Sequence, residues 1–230
     1  LHLSLRRQRQ MCIRDSFAGY LGDSEASAGL VRCGYLIAAP EGPRLDALRS
    51  SLQQQAAMGI TVQELTPQQA AERLPIAHFD DAALIGWEPE AGFADAYLVA
   101  TGFARAARRR GVHVREGVEV QGLCLEAGRV VGVQTAQGRF DAGVVVSTQN
   151  IWARDIERWT GIASPVTPER HQVLALDGPQ AYTPAMPVFK DLASPGMLYA
   201  RSYGGRQMLV SEGLPGEVLP VPDDRPGEVS

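Results

Sequence analysis

The stretch Gly111–Trp152, GVHVREGVEVQGLCLEAGRVVGVQTAQGRFDAGVVVSTQNIW, decides how the fold is read. It predicts a short strand over 112–115, directly after a helix that stops at Gly111. Residues 118–126 and 129–135 alternate apolar with polar side chains on either side of Ala127-Gly128, the pattern of a hairpin. Beyond a turn at Gln137-Gly138 comes Val144-Val145-Val146, an unbroken apolar run that suits a strand buried on both faces. Ser147-Thr148-Gln149-Asn150 ends the run, and a helix is expected to begin near Ile151. A buried parallel strand that empties into a helix N-terminus is where open α/β sheets bind phosphate-bearing ligands. The functional centre is therefore expected there.

With 230 residues, 45% of them hydrophobic, the chain can bury a core in one or two domains. Its net charge of −4 argues against a nucleic-acid surface. The crowd of Arg105, Arg108, Arg109 and Arg110 is better read as cations opposing the negative end of a helix dipole. Cys12, Cys33 and Cys124 are scattered and lack C-x-x-C spacing, so neither a disulfide framework nor a metal cluster is expected, and a reducing cytoplasm is the default compartment. His78 and His113 carry no partner pattern and read as structural. No apolar run has the length of a membrane span.

Working outward, Arg32–Ala39 is a strand candidate stopped by Pro40. A helix over 43–58 presents Leu45, Leu48 and Leu52 at helical spacing and ends at Gly59. Residues 60–65 predict a strand, Thr66-Pro67 opens a short helix through Leu74, and 84–87 predict another strand. Asp95 caps a helix running to Arg110, with Val99, Phe103 and Ala106 on its apolar face. After Trp152 a helix runs to about Trp159 and is closed by Gly161. Residues 165–176 return to an extended pattern, 188–191 form a strand, and 197–202 with 207–211 make a hairpin about Gly204-Gly205. The head, 1–16, is a poor signal peptide, and its RQRQMCIRDS resembles translated adaptor sequence. It is expected to be a non-native or disordered head outside the fold.

The order helix, strand, meander, VVVST and Trp resembles the middle of the flavin-dependent amine oxidoreductases related to D-amino-acid oxidase, above all the sarcosine and dimethylglycine dehydrogenase branch. In that family the run after the buried strand reads like A-A-G-x-W. Here Trp152 matches, and Asn150 stands where the Gly falls. Asn takes left-handed backbone angles at modest cost, so Asn150 is expected to replace that Gly. Gly34-Tyr35-Leu36 and Gly92-Phe93-Ala94-Asp95 match further landmarks, although Ala96 stands where the family has Pro. The resemblance implies an α/β (α+β) fold: an incomplete FAD-binding Rossmann-like domain with an inserted β-meander, plus a mixed-sheet substrate domain. The substrate domain is expected over 17–93 and 164–230, and the cofactor domain over 94–163. The phosphate-binding G-x-G-x-x-G and the C-terminal Gly-rich segment of the family are not found in the sequence. The chain therefore reads as an internal fragment, expected on its own to be colourless and partly unfolded.

The resemblance also implies site residues. His171, in Glu169-Arg170-His171-Gln172, resembles an H-Q-Y strand whose His lies beside the substrate, with Val173 in the third place. A His suits transfer of the amine proton, because its ordinary pKa lies near the working pH. Tyr199, in Leu198-Tyr199-Ala200-Arg201, resembles an L-Y-x-R strand whose Tyr points at the active site. Arg201 is the candidate anchor for a substrate carboxylate, on the face of Tyr199 only if no bulge intervenes; taken alone it reads as a solvated edge residue. On the cofactor side, Val120 matches a residue whose backbone meets the adenine end of FAD. Ser147, Thr148, Gln149, Asn150 and Trp152 are candidates for cofactor contact, and helix capping is the plain alternative for the polar ones. The activity implied is oxidation of the C–N bond of a small secondary or tertiary amine or amino acid, of the sarcosine, dimethylglycine or glycine type. The alternatives are a flavoenzyme on the same scaffold for a D-amino acid or 2-hydroxy acid, and a non-catalytic relative that has lost the flavin. Neither a nucleic-acid nor a membrane partner is expected.

Overall fold

The computed structural model describes residues 29–177, 186–214 and 216–218; the head at 1–16 lies outside them. Contacts gather into two compact units. Of the described residues, one comprises those up to Val112 together with those between His171 and Leu214, and the other His113–Arg170 with 216–218.

The first unit is built on a mixed sheet. In chain order its elements are β1 (Val31–Arg32), β2 (Tyr35–Ala39), helix α1 (Pro43–Ala57), β3 (Gln63–Leu65), helix α2 (Pro67–Arg73), β4 (Leu84–Glu88), β5 (Gly92–Phe93) and helix α3 (Ala96–Arg109). The second unit supplies β6 (Val120–Glu126), β7 (Arg129–Thr135), β8 (Gly138–Asp141), helix α4 (Arg154–Thr160) and β9 (Glu169–Arg170). The chain then returns to the first unit with β10 (Val173–Asp177), β11 (Val188–Asp191), β12 (Tyr199–Tyr203) and β13 (Gln207–Ser211), and β14 (Glu217–Val218) pairs with β9. The seven-stranded sheet has the order β10-β13-β12-β11-β2-β4-β3, in which β11 and β2 are parallel and the other pairs antiparallel.

Strand β2 lies near the middle because four consecutive residues, Leu36 to Ala39, are apolar and both of their faces find cover. Leu36 and Ala38 join Ile85, Phe189, Ala70, Leu74 and Phe79 in one core. Ile37 and Ala39 pack with Leu45, Leu48, Leu52 and Leu84 in another. The leucines of α1 at spacings of three and four are therefore the residues that seal one face. On the other face Phe79 meets Phe189 edge to face, their ring centroids 5.5 Å apart. Helix α2 starts where expected, with Thr66 and Gln69 forming a reciprocal capping box. Asp95 caps α3 by accepting from the Leu98 N–H at 2.9 Å.

In the second unit β6, β7 and β8 form the expected meander. Its first turn places Ala127 and Gly128 both at positive φ, 50° and 76°, the geometry a two-residue hairpin requires. Two expectations fail. Residues 112–115 form no strand, and neither do Val144–Val146, whose outer valines are 79% and 80% exposed. A buried parallel strand exists only where neighbours supply its hydrogen bonds and cover its faces, and among the described residues no strand pairs with 144–146. The helix expected at Ile151 begins instead as a 3-10 turn over Asn150–Trp152, and α4 follows from Arg154 and closes on Gly161 at φ 74°.

The two-sided burial of β2 makes a stability prediction. Leu36→Ala, at a fully buried position, should cost about 2–5 kcal/mol in urea unfolding. Tyr97→Ala, at a position 74% exposed, should stay within about 0.5 kcal/mol. Equal effects would refute this placement of the core.

Candidate active site

The pairing register places the candidate residues of the first unit. Ile37 pairs with Lys190, Lys190 with Tyr199, Tyr199 with Ser211, and Ser211 with Val173. Side chains in such a row share a face of the sheet. Strands β12 and β13 pair without a shift from Tyr199 to Tyr203, so Tyr199, Arg201 and Tyr203 lie on one face while Ala200 and Ser202 are buried on the other. The condition attached to Arg201 in the sequence is met.

Arg201 is not a solvated edge residue. It is half-buried, and its guanidinium carbon lies 4.6 Å from the centroid of Phe93 and 5.8 Å from that of Tyr203. One amino group, Nη1, donates to the Ser202 carbonyl at 3.1 Å. No carboxylate pairs with it among the described residues. A partly desolvated guanidinium that keeps free in-plane donors is suited to an incoming anion.

Burial pushes the Tyr199 phenol above its usual pKa; Arg201 opposes the shift and Cys33 adds to it. Tyr199 is therefore a protonated hydrogen-bond donor throughout the neutral range. The Cys33 thiol is also raised, first by burial and against a smaller lowering from backbone hydrogen bonds and Arg201. Cys33, Phe93 and Tyr203 thus join a neighbourhood from which the sequence singled out only Tyr199 and Arg201. The spacing Tyr199, Arg201, Tyr203 carried the signal for Tyr203. Cys33 and Phe93 arrive from distant segments, and no local pattern announces them. His171 lies just outside β10, two residues before Val173, and is exposed.

In the second unit Val120 is half-buried at the start of β6, beside a register shift between Val120 and Gly122. Ser147 and Thr148 are exposed, and the Ser147 hydroxyl lies 3.1 Å from Gln149 Oε1. Asn150 takes φ 52°, the left-handed conformation anticipated for a residue in a Gly position. Trp152 is 46% exposed, and its backbone N–H donates to the Gln149 carbonyl at 3.1 Å. Among the described residues no cluster of His, Cys, Asp and Glu is fit to hold a metal, and no helix is long and apolar enough to cross a membrane.

The profile of the DAO family, FAD dependent oxidoreductase, matches residues 4–227. The chain belongs to the FAD-dependent oxidoreductase family. FAD is the cofactor of this family. The match begins inside the head read as non-native. This flavoprotein chain is 26% identical over 196 residues to 4-methylaminobutanoate oxidase (formaldehyde-forming) of Paenarthrobacter nicotinovorans, covering 84% of the chain and 24% of that protein. It is 28% identical over 148 residues to human mitochondrial sarcosine dehydrogenase, covering 62% of the chain and 16% of the relative. Among solved structures it shares its fold with L-proline dehydrogenase from P. horikoshii, at TM-score 0.77 and 23% identity over 91% of the chain and 55% of the other. The chain thus spans about a quarter or less of these curated relatives and about half of that structure.

The electrostatic neighbourhood makes a prediction. Arg201→Leu removes the cation that lowers the Tyr199 pKa, so the phenol should titrate at still higher pH. The check is a near-ultraviolet absorbance titration referenced to Tyr199→Phe; an unchanged or lower value would contradict the arrangement.

Proposed function

We propose that the whole flavoprotein oxidises the C–N bond of a small secondary or tertiary amine, or amino acid, that bears a carboxylate, of the sarcosine, dimethylglycine or glycine type. The observation that carries this reading is Arg201, a half-buried cation without a protein carboxylate partner among the described residues, on one face with the Tyr199 phenol. Family membership supplies the reaction class.

In this reading Arg201 pairs with the substrate carboxylate through its free N–H groups, and Tyr199 donates a hydrogen bond that orients the substrate. His171 receives the amine proton, which frees the nitrogen lone pair needed for oxidation. FAD, when bound, supplies the hydride acceptor. The second unit suits such a group: the exposed Val144 and Val146 lead into exposed hydroxyls at Ser147 and Thr148 and a left-handed turn at Asn150. Backbone at Val120 and the run Ser147, Thr148, Gln149, Asn150 and Trp152 would hold the cofactor. The boundaries 17–93, 94–163 and 164–230 remain our division into substrate and cofactor parts. A reducing, cytoplasmic setting is part of this reading, on the scattered spacing of Cys12, Cys33 and Cys124 in the sequence.

Two substitutions in the full-length, FAD-loaded protein test the reading. His171→Ala should lower kcat by about 10²- to 10⁴-fold, the usual worth of a general base, with flavin content unchanged. Arg201→Leu should raise KM for carboxylate-bearing amines and leave amines without a carboxylate unaffected. Undiminished turnover by the first variant removes His171 from the mechanism, and an equal KM effect on both substrate classes removes the carboxylate anchor.

A further inference from the structure

We propose that Phe93 and Tyr203 are positioning residues, a pair of aromatic rings that hold the Arg201 guanidinium so that its N–H edges are set for a carboxylate. The proposal rests on the reading of Arg201 as an anion anchor and adds what fixes its geometry.

A free arginine side chain samples many rotamers, and ordering it when an anion arrives costs affinity. Here the ordering is already done. The guanidinium lies within cation–π range of both rings, and the nearer, Phe93 at 4.6 Å, belongs to a different strand. A cation attracted to ring faces keeps its in-plane donors for hydrogen bonds, and Ser202 takes only one amino group. Tyr203 comes with Arg201 automatically, two residues along β12 on the same face.

Phe93 is placed by a separate device. Strand β5 pairs antiparallel with β1, Phe93 opposite Val31 and Gly92 opposite Arg32. A Cβ on Gly92 would fall 1.9 Å from the Val31 carbonyl oxygen, so only glycine lets the two segments come this close. The loop before β5 is tied down by the Gly34 N–H, which donates to the Ala91 carbonyl at 2.7 Å. The short β1–β5 pair thereby delivers one ring to a cation carried on the large sheet.

The test is calorimetric titration of acetate into the full-length, FAD-loaded protein, with KM and kcat measured for an amine that carries a carboxylate and one that does not. Phe93→Leu should weaken acetate binding about three- to thirty-fold, the range for a partly desolvated cation–π contact. KM should rise in parallel for the carboxylate-bearing amine alone, and kcat should change little. Phe93→Tyr, which keeps a ring, should bind as the wild type does. Tyr203→Leu, at an exposed position, should give a smaller weakening, and it carries the test if Phe93→Leu fails to load FAD. If Arg201→Leu weakens acetate binding while Phe93→Leu and Tyr203→Leu do not, the clamp is overturned and the anchor stands. If Arg201→Leu has no effect, or the wild type binds no acetate, the anchor fails and the clamp with it.

Discussion

The structure of the first unit depends on one constraint: strand β2 must be covered on both faces. Its apolar residues Leu36 to Ala39 point alternately to two cores, and each is closed by different elements. Strand β11 joins β2 in parallel, bringing a distant part of the chain to the centre of the sheet. Once that parallel register is set, β12 and β13 follow by short antiparallel turns, and Tyr199 and Arg201 take fixed positions along it. Hydrophobic burial on one side of the sheet thus determines where polar chemistry is displayed on another.

The same view explains the chemical character of the site. Ala200 and Ser202 face the buried side of β12, which leaves Tyr199, Arg201 and Tyr203 together on the opposite side. The partial burial of Tyr199 and Arg201 raises the Tyr199 phenol pKa and strengthens the pull of the arginine on an anion, because both effects grow as water is withdrawn. Phe93 covers the cation with an apolar ring that takes none of its hydrogen-bonding capacity. A carboxylate-bearing amine would bring the negative charge that this arrangement lacks among the described residues.

Much of this was legible in the residues. The leucine spacing of α1, the Thr66-Pro67 start of α2, the Asp95 cap and the Ala127-Gly128 hairpin are all local signals, and each element forms within a few residues of its expected place. Asn150 in the left-handed region follows from its side chain as much as from the family pattern. Val144–Val146 misled because an apolar run states only a need for cover; whether neighbours supply it is decided elsewhere in the chain. Cys33 and Phe93 were not read as neighbours of the site for a related reason. They sit in small, separate segments and reach Arg201 only through long-range pairing that no periodicity encodes.

The carboxylate anchor is tested most directly by a crystal structure of the full-length, FAD-loaded protein with acetate or another small carboxylate bound. The account predicts the carboxylate oxygens within hydrogen-bond distance of the Arg201 guanidinium, on the face that carries the Tyr199 phenol. A carboxylate seated elsewhere, with Arg201 paired instead to an Asp or Glu of the protein, would contradict it.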